Sequence, residues 1–509
     1  GDQAMDTWIA VFLSLSLCLA LFPILWRKKG RLPPGPAAFP IVGNLLWLTH
    51  PVSEFEYAVR ELRDRYGPIV TLHLGSRRSI MIADRDLAHD MLVQHGAVFA
   101  DRPPPSAGVR LLSTNQHNIN TAGYGPQWRL LRRNLTSGLL HPSRVRQYAQ
   151  SREWVLGILL SELRRSAATS GDGTAVVMGA FQHAMFCLLV LLCFGEKLDE
   201  KAIGEISSVQ QDLLKFFTKL NVFNFVPMVA KYVFRGRWQR LLELRGRQRE
   251  IYVPLITARR RQKEARSPGE NNLHFSYVDS LLDLELPDED GRNLSDEEII
   301  SLCSELLNAG TDTTSTALEW TMANVVKHPR VQEKLLAEMK GVMGTREVVR
   351  EDDLQRLPYL KAVVMEGLRR HPPAHFVLPH KVTEEVAVGG YVIPPDAEVN
   401  FAVAEVNMDG RVWEEPMEFR PERFLPGGEG EGVDMTGSRE IRMMPFGVGR
   451  RICPGLALAV LHLEYFVANL VREFEWKAVK GEEVDLSEKL EFTIVMKNPL
   501  KARIFPRSK

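Results

Sequence analysis

The chain has 509 residues, of which 45% are hydrophobic and 25% are charged, a composition typical of a folded globular protein rather than a disordered one. Its 64 basic and 63 acidic residues leave a net charge of +1, so there is no general basic excess to neutralise phosphates, and nucleic acid is not an expected partner. The five cysteines are odd in number and irregularly spaced, which indicates a reducing compartment where thiols stay free.

The first predicted element is a membrane-spanning helix at residues 8–26. This stretch carries no charge; Asp2 and Asp6 precede it, and a basic run beginning at Arg27 follows it. A helix of this length can cross ~30 Å of hydrocarbon. A cleaved secretory signal would carry its basic residues before the apolar core, whereas here they come after it. The positive-inside rule therefore predicts a single pass with the rest of the chain in the cytosol.

Beyond the anchor and its basic stop at 1–31, the sequence predicts a stiff hinge and one large domain. The hinge, at 32–40, begins with the run Leu-Pro-Pro-Gly-Pro. Residues 69–83 alternate around a Gly-Ser pair and predict a small hairpin, and 386–399 form a second strand-like patch. The rest is mostly helical in pattern, so we expect a mainly α domain with small β-sheets over 41–509.

A basic stretch at 231–263 has two open interpretations. It holds eleven basic residues against Glu243 and Glu250. It is either the solvated face of a helix or a surface that contacts anionic lipid or a redox partner.

A long helix is predicted from Ser295 to about residue 327, with Ser295 and Glu298 forming a capping box at its start. Its middle reads Ala-Gly-Thr-Asp-Thr-Thr at 309–314, a poor composition for a helix interior. Threonine hydroxyls can bond back to the i−4 carbonyl and bend the helix, which would open a groove for water or a diatomic ligand. Taken alone, such residues are more often involved in packing.

Two further patterns lie towards the C-terminus. Glu366 and Arg369 are spaced to share one helical face; a buried pair of this kind is better explained as fixing a shape than as adding stability. Residues 446–455 read Phe-Gly-Val-Gly-Arg-Arg-Ile-Cys-Pro-Gly and precede a long helical pattern. A thiol at a helix N-terminus is favoured as the thiolate, so Cys453 is either a reactive thiol or a metal ligand.

The full pattern Phe-x-x-Gly-x-Arg-x-Cys-x-Gly resembles the haem-binding loop of the cytochrome P-450 superfamily. The resemblance runs over nearly the whole chain, and residues 99–103 (Phe-Ala-Asp-Arg-Pro) are similar to plant microsomal members, the A-type group near its 89A branch. It implies a P-450 fold and a membrane-anchored haem-thiolate monooxygenase with haem b as cofactor and Cys453 as the ligand of its iron.

The resemblance also implies roles for individual residues. Proton delivery to dioxygen would fall to Asp312 and Thr313. Contacts to the cofactor would come from Trp128, Arg132, His380, Arg451 and Cys453. A structural role around the thiolate loop would fall to Glu366, Arg369, Arg423 and Phe446. The substrate pocket would include Leu306, Ala309, Phe376, Val377, Ile494 and Val495, which predict an apolar cavity for a lipophilic small molecule.

Partners follow from the same resemblance. No flavin domain follows the Cys453 helix, so NADPH would act through a separate cytochrome P-450 reductase. This reductase would dock on a basic patch of Arg129, Arg133, Arg442 and Arg450. We expect a monomeric catalytic unit held on the endoplasmic reticulum membrane.

Two alternatives remain at this point. The chain could be a family member that rearranges hydroperoxides without external electrons, or a non-catalytic haem protein that serves as sensor or carrier. Neither needs the pair Asp312 and Thr313.

Overall fold

The computed structural model describes residues 32–37, 44, 55–74, 77–217, 230–265, 275–287, 291–344 and 346–507. The membrane helix predicted at 8–26 lies outside these ranges, and within them no helix is both long and apolar enough to cross a bilayer. The chain divides into two compact units, Gly1–Pro103 with Phe376–Ala402, and Pro104–His375 with Val403–Lys509.

The helices and strands follow one another in an order dominated by helices, as predicted. The helices are α1 (Phe55–Tyr66), α2 (Arg85–His89), α3 (Ala107–Leu112), α4 (Pro126–Asn134), α5 (Pro142–Gln147), α6 (Ala149–Ser170), α7 (Met178–Phe194), α8 (Glu200–Phe217), α9 (Ala230–Val233), α10 (Arg235–Glu264), α11 (Tyr277–Leu282), α12 (Asp296–Lys327), α13 (Pro329–Met343), α14 (Pro358–Arg370), α15 (Val403–Asn407) and α16 (Leu456–Glu473). The strands are β1 (Ile69–Leu74), β2 (Arg77–Ile82), β3 (Thr174–Val176), β4 (His380–Lys381), β5 (Val386–Val388), β6 (Tyr391–Ile393), β7 (Glu398–Phe401), β8 (Phe474–Ala478), β9 (Glu488–Leu490), β10 (Ile494–Met496) and β11 (Lys501–Pro506).

The first unit is built on a four-stranded sheet in the order β1-β2-β7-β4. The predicted hairpin is confirmed as β1 and β2, antiparallel with Ile69 opposite Ile82. Strand β7 joins β2 in parallel, and β5 pairs with β6 as a separate hairpin, which confirms the second strand-like patch. A small apolar core that includes Val59, Val70 and Met81 holds α1 against this sheet.

The proline-rich segment is attached to the edge of that sheet. Thr71 donates its backbone N–H to the Pro34 carbonyl (2.8 Å) and its hydroxyl to the Pro33 carbonyl (2.9 Å). A Cβ at Gly35 would lie 1.9 Å from the Thr71 carbonyl oxygen, so only glycine permits this close approach. The part of the predicted hinge that the structure describes is therefore hydrogen-bonded to β1.

The second unit surrounds two helices that cross its core. Helix α7 is buried at every position from Ala184 to Phe194, as its uniformly apolar sequence requires. Helix α12 packs against α7, α14 and α16. Its 32 residues correspond to a length of about 48 Å.

The predicted start of α12 is confirmed by its cap. Ser295 accepts a hydrogen bond from the Glu298 amide on its hydroxyl, and Glu298 accepts one from the Ser295 amide (2.7 Å). The helix is continuous from Asp296 to Lys327.

Two small sheets complete this unit. Strand β11 lies between β3 and β8 and is antiparallel to both. Strands β9 and β10 form a hairpin that places Leu490 opposite Ile494 and Glu488 opposite Met496.

Candidate active site

The loop that carries Cys453 is shaped by glycine and closed by one backbone hydrogen bond. Gly447 and Gly449 adopt φ values of 67° and 78°, which favour glycine over other residues. The Cys453 amide donates to the Phe446 carbonyl at 2.9 Å, and α16 begins three residues later. Phe446 therefore fixes the two ends of the loop through its backbone, and the cysteine lies at a helix start as predicted.

The thiol of Cys453 is half-buried, and its titration differs from the expectation drawn from the helix terminus alone. Burial raises the pKa of the Cys453 thiol, while the Gly455 amide and the Arg132 guanidinium lower it by less. The helix end favours the thiolate through the Gly455 amide, as expected, but in the polypeptide alone desolvation outweighs this effect and the net pKa shift is upward. A cation bound to the sulfur would stabilise the thiolate.

Three predicted cofactor residues form one cluster beside this loop. The Arg451 guanidinium lies 4.5 Å from the centre of the Trp128 ring and donates to the carbonyls of Ile119 (3.2 Å) and Ala122 (2.6 Å). Arg132 lies farther from the same ring, at 6.0 Å, and donates to the Ile452 carbonyl at 2.6 Å. Two guanidinium groups are thus held next to the cysteine by an aromatic ring and by backbone oxygens.

Part of the middle of α12 is not buried. Ala309 is exposed, and Leu306 and Thr313 are half-buried, whereas residues 314–326 are all buried. The Thr313 hydroxyl donates to the Ala309 carbonyl at 2.5 Å, which confirms the predicted bond to the i−4 carbonyl. The helix therefore presents Ala309 and Thr313 on an open face.

Gly310 has a different role from the one its sequence suggested. A Cβ at this position would lie 2.3 Å from Leu189 Cδ1 of α7. The glycine therefore allows two core helices to pack closely, and α12 passes through this region without a break. Helix contact, rather than an opened groove, explains why glycine stands here.

Asp312 is half-buried on the same turn and has one described side-chain donor. The Gln182 side-chain amide of α7 donates to Asp312 Oδ1 at 3.3 Å. Burial raises the pKa of Asp312 to about 6; the Gln182 hydrogen bond lowers it and the charge of Glu491 raises it further. The carboxyl can therefore take up and release a proton near neutral pH. Gln182 was missed in the sequence, since nothing in its local pattern points to α12.

The structure brings Glu366, Arg369 and Arg423 together in a fully buried ion triad. Arg369 bonds Glu366 through two nitrogens at 2.7 and 2.8 Å, and Arg423 Nε lies 3.2 Å from the same carboxylate. The backbone amide of Arg420 completes the carboxylate's partners at 2.8 Å. All three charged side chains are at most 1% exposed.

A chain of contacts links this triad to the cysteine loop. Arg369 donates to the Asn407 carbonyl, and Asn407 Oδ1 accepts the Met444 amide at 2.8 Å. Met444 in turn accepts the Gly447 amide at 3.0 Å, one residue from Phe446. Asn407 was not singled out in the sequence, because an isolated asparagine carries no motif.

The remaining predicted residues are divided between the two units. Ile494 and Val495 lie on β10 of the second unit; Ile494 is buried and Val495 is half-buried. His380, Phe376 and Val377 belong to the first unit, where His380 Nδ1 lies 2.5 Å from the Phe99 carbonyl oxygen. The role of His380 as a cofactor ligand stays a prediction.

The basic patch predicted for a redox partner is only partly available. Arg129 and Arg450 are exposed and both lie over the ring of Tyr124, at 4.9 and 5.4 Å. Arg133 is exposed as well. Arg442, in contrast, is half-buried and paired with Glu440 at 2.7 Å.

The donors near Cys453 fit a prosthetic group better than a metal ion held by side chains alone. Among the residues that the structure describes, no cluster of three or more His, Cys, Asp or Glu could hold a metal ion. Cys453 thus offers one ligand, and the others would come from the group itself. The apolar first turns of α16, at 456–461, are not buried by the polypeptide, which suits a flat apolar ring with acidic substituents near Arg132 and Arg451.

Comparison with known proteins identifies the family. Residues 33–504 match the family model described as Cytochrome P450. The chain is 48% identical over 519 residues to Cytochrome P450 89A9 of Arabidopsis thaliana, covering 99% of this chain and 100% of the relative. It is 32% identical to Flavonoid 3'-monooxygenase of Arabidopsis thaliana, with 98% and 97% covered, and 31% identical to Geraniol 8-hydroxylase of Swertia mussotii, with 94% of each covered.

A solved structure supports the fold. The zebrafish cytochrome P450 determined with progesterone superimposes with a TM-score of 0.72 at 21% identity, covering 91% of this chain and 99% of that one. The match of the family model over nearly the whole chain, together with full-length relatives, extends the resemblance seen in the Cys453 loop to the entire sequence. The chain belongs to the cytochrome P450 family of haem monooxygenases.

Proposed function

We propose that this protein is a membrane-anchored monooxygenase that inserts one oxygen atom from O2 into a lipophilic small molecule, with electrons from NADPH delivered by a separate reductase. The observation that carries this proposal is the open face of Ala309 and Thr313. It lies on a core helix, α12, that packs against the helix beginning after Cys453. A face left open within a buried helix is best explained by a ligand that covers it.

The cofactor that family membership implies is haem b. Cys453 would ligate its iron, and when bound this group supplies the redox centre at which dioxygen is activated, with the thiolate favouring O–O cleavage. Arg132 and Arg451 would bond its two carboxylates in place of their present carbonyl partners, while Trp128 stays stacked beneath Arg451. The triad around Glu366 would hold the loop in shape while the cofactor enters.

The protons needed to cleave dioxygen would be delivered by side chains in the middle of α12. Asp312 can be protonated or charged near neutral pH because burial raises its pKa to about 6. Thr313 donates to the Ala309 carbonyl, so its oxygen is free to accept a hydrogen bond from water at the open face. We assign Asp312 to proton uptake and Thr313 to holding the water that carries the proton.

Electron supply and location rest on the sequence and on the family. The exposed cations Arg129, Arg133 and Arg450 would form the docking surface of an acidic reductase, with Arg442 contributing less because it is paired with Glu440. The apolar segment at 8–26 would anchor a monomeric catalytic unit on the cytosolic face of the endoplasmic reticulum.

The substrate class follows from the lining residues and not from the relatives' names. Leu306, Ala309, Ile494 and Val495 of the second unit are apolar, as are Phe376 and Val377 of the first unit. An apolar site with few polar groups accepts a lipophilic molecule and uses little hydrogen bonding to select it. The relatives named as acting on flavonoids and geraniol are only 31–32% identical to this chain.

The test is a reconstitution of the full chain in membranes with a plant reductase and NADPH. We expect a reduced carbon monoxide spectrum of the thiolate-ligated type, NADPH-dependent oxygen consumption, and oxygenated product from a screen of lipophilic plant metabolites. Cys453→Ser should abolish all three, whereas Cys187→Ser, which alters a buried cysteine of α7, should leave the spectrum unchanged.

Two outcomes would contradict the proposal. Consumption of a lipid hydroperoxide without NADPH would favour a rearranging enzyme. A carbon monoxide spectrum without the thiolate signature in folded protein would remove Cys453 as the ligand.

A further inference from the structure

A half-buried carboxylate outside the site residues discussed so far lies between two histidines. Glu488 is the first residue of β9. Its Oε2 lies 3.0 Å from His375 Nε2, and its Oε1 lies 3.5 Å from His371 Nδ1. The first distance is a good charge-assisted hydrogen bond, whereas the second is too long for a strong one. His375 is therefore the main partner of Glu488.

His371 is fixed by a second interaction. Its ring stacks on Trp320 of α12 with centroids 4.2 Å apart and planes 1° from parallel, and it is 1% exposed. Burial lowers the pKa of His371 to about 4, although Glu488 acts to raise it. A neutral, stacked His371 therefore packs beside the carboxylate, and the shorter hydrogen bond to Glu488 comes from His375.

The same tryptophan reaches the other strand of the hairpin. The Trp320 indole N–H donates to the Ile494 carbonyl at 2.8 Å, and the Ile494 amide donates to the Pro373 carbonyl at 2.8 Å. The β9–β10 hairpin is thus attached twice to the segment 371–375: through Glu488 on one strand and through Ile494 on the other. The attachment of Ile494 to this segment uses backbone atoms, so Glu488 supplies the side-chain attachment to 371–375. A second side-chain contact joins the hairpin to α12, where the hydroxyls of Thr493 and Thr316 lie 2.9 Å apart.

Glu488 remains charged in this setting. Burial raises the pKa of Glu488, but hydrogen bonding to His371 and His375 lowers it by more, so the net shift is downward. A charged group in such a place tolerates the loss of its partner poorly. A pair that served only general stability would be replaceable by apolar residues, but this one is attached to the hairpin that carries Ile494 and Val495.

We propose that Glu488 is a positioning residue which, through His375, fixes the β9–β10 hairpin and thereby sets the width of the substrate pocket at Ile494 and Val495. The inference rests on the proposed function, because it takes these two residues as pocket lining. It concerns which molecules fit, rather than the oxidation step itself.

The experiment compares purified holoprotein of the wild type with Glu488→Gln, His375→Ala and the double variant. The rate of hydrogen exchange at the backbone amides of 486–497 measures how firmly the hairpin is held. The affinities of the holoprotein's haem for imidazole and for the larger 1-phenylimidazole measure how much space the pocket offers. In Glu488→Gln we expect exchange in this segment to accelerate about tenfold and 1-phenylimidazole affinity to change about tenfold, with imidazole affinity constant within about twofold. The double variant should match the single ones, since both remove the same bond.

Glu482→Gln is the matched control, because it removes an exposed carboxylate from the neighbouring loop with the same change of charge. It should leave exchange and both affinities unchanged. If Glu488→Gln does not accumulate as folded protein, His375→Ala keeps the carboxylate and is expected to give the same two changes.

Three results would overturn the inference: unchanged exchange at 486–497, an unchanged ratio of the two affinities, or an equal loss for both azoles with faster exchange throughout the protein. The last would mean that Glu488 stabilises the fold in general. Failure of the proposed function is separate, because it would appear as the absence of the thiolate-type carbon monoxide spectrum in the wild type, whereas hydrogen exchange needs neither activity nor a ligand.

Discussion

Two carboxylates of the second unit, Glu366 and Asp312, differ in how completely their charge is compensated by neighbouring donors. The Glu366 carboxylate accepts hydrogen bonds from two guanidinium groups and a backbone amide and is wholly enclosed. The Asp312 carboxylate has one neutral described donor, Gln182, and stands at an open face. Full charge compensation holds the first site rigid, whereas partial compensation leaves the Asp312 carboxyl free to exchange a proton.

The largest effect is expected where the enclosed site is broken. Glu366→Gln leaves Arg369 buried without its counter-charge and Arg423 with Glu429 alone, which should cost about 3–5 kcal/mol of folding free energy and most of the bound haem. Thermal unfolding and haem content per protein measure this loss.

Glu422→Gln is the control for that variant, because this residue lies next to Arg423 but pairs with Lys334 at the surface. A pair of this kind contributes about 0–1 kcal/mol, so stability should change little. Glu366→Gln protein with wild-type stability and haem content would show that the triad does not hold the loop.

At the open site, loss of function should exceed loss of stability. Asp312→Asn and Thr313→Val should retain haem, yet lower product formation about 100-fold and divert electrons to hydrogen peroxide, since proton transfer is impaired. The assay follows NADPH oxidation, peroxide and product together. Thr314→Val, on the buried side of the same turn, serves as the control; an equal loss there would refute a specific role for Thr313.

The protonation of Asp312 should also be visible in stability. Its folded pKa of about 6 lies above the ordinary aspartate value of 3.8, so the folded state binds an extra proton between these values. The stability that this extra proton provides is fully present below about pH 4. As the pH rises through about 6, on the order of 2 kcal/mol of unfolding free energy is lost. Denaturant unfolding of wild type and Asp312→Asn across this range should therefore converge at low pH and diverge towards neutral pH, with the variant the more stable. Parallel curves would contradict the raised pKa.

The smallest effect is expected at Gly310, where α12 packs against α7. Gly310→Ala places a Cβ against Leu189 and should lower stability by about 1–3 kcal/mol, although alanine is the better helix former. Gly246→Ala, on the exposed side of α10 with no atom within 4 Å of the new Cβ, should instead raise it by about 0.5–1 kcal/mol. Changes of equal sign in the measured unfolding free energies would mean that Gly310 is not needed for the close packing of α7 and α12.

Local patterns in the sequence predicted those parts of the site whose partners lie close together in the chain or within a recognisable motif. The cap at Ser295, the Thr313 bond to Ala309 and the Glu366–Arg369 pair each span three or four residues, and their geometry follows from the helix repeat. Arg423 was anticipated only through the family resemblance, which substitutes for knowledge of the fold.

Contacts between distant segments were beyond the sequence. Gln182 and Asp312 lie 130 residues apart, and no local signal connects them. The same holds for Glu488 with His375, and for the close approach of Leu189 to Gly310. The net pKa shift of Cys453 could not be predicted for a related reason: the effect of the helix terminus is local, whereas desolvation depends on everything that packs around the thiol.

The position of β11 has a consequence for how the chain is made. This strand is the middle member of its sheet, paired on one side with β3, which precedes α7 in the chain. During synthesis β3 therefore cannot pair with β11 until all residues from α7 to α16 have left the ribosome. A pairing of such long sequence separation forms late and slowly, so we expect nascent chains to depend on chaperones, and chains ending before β11 to be recognised as unfinished and degraded.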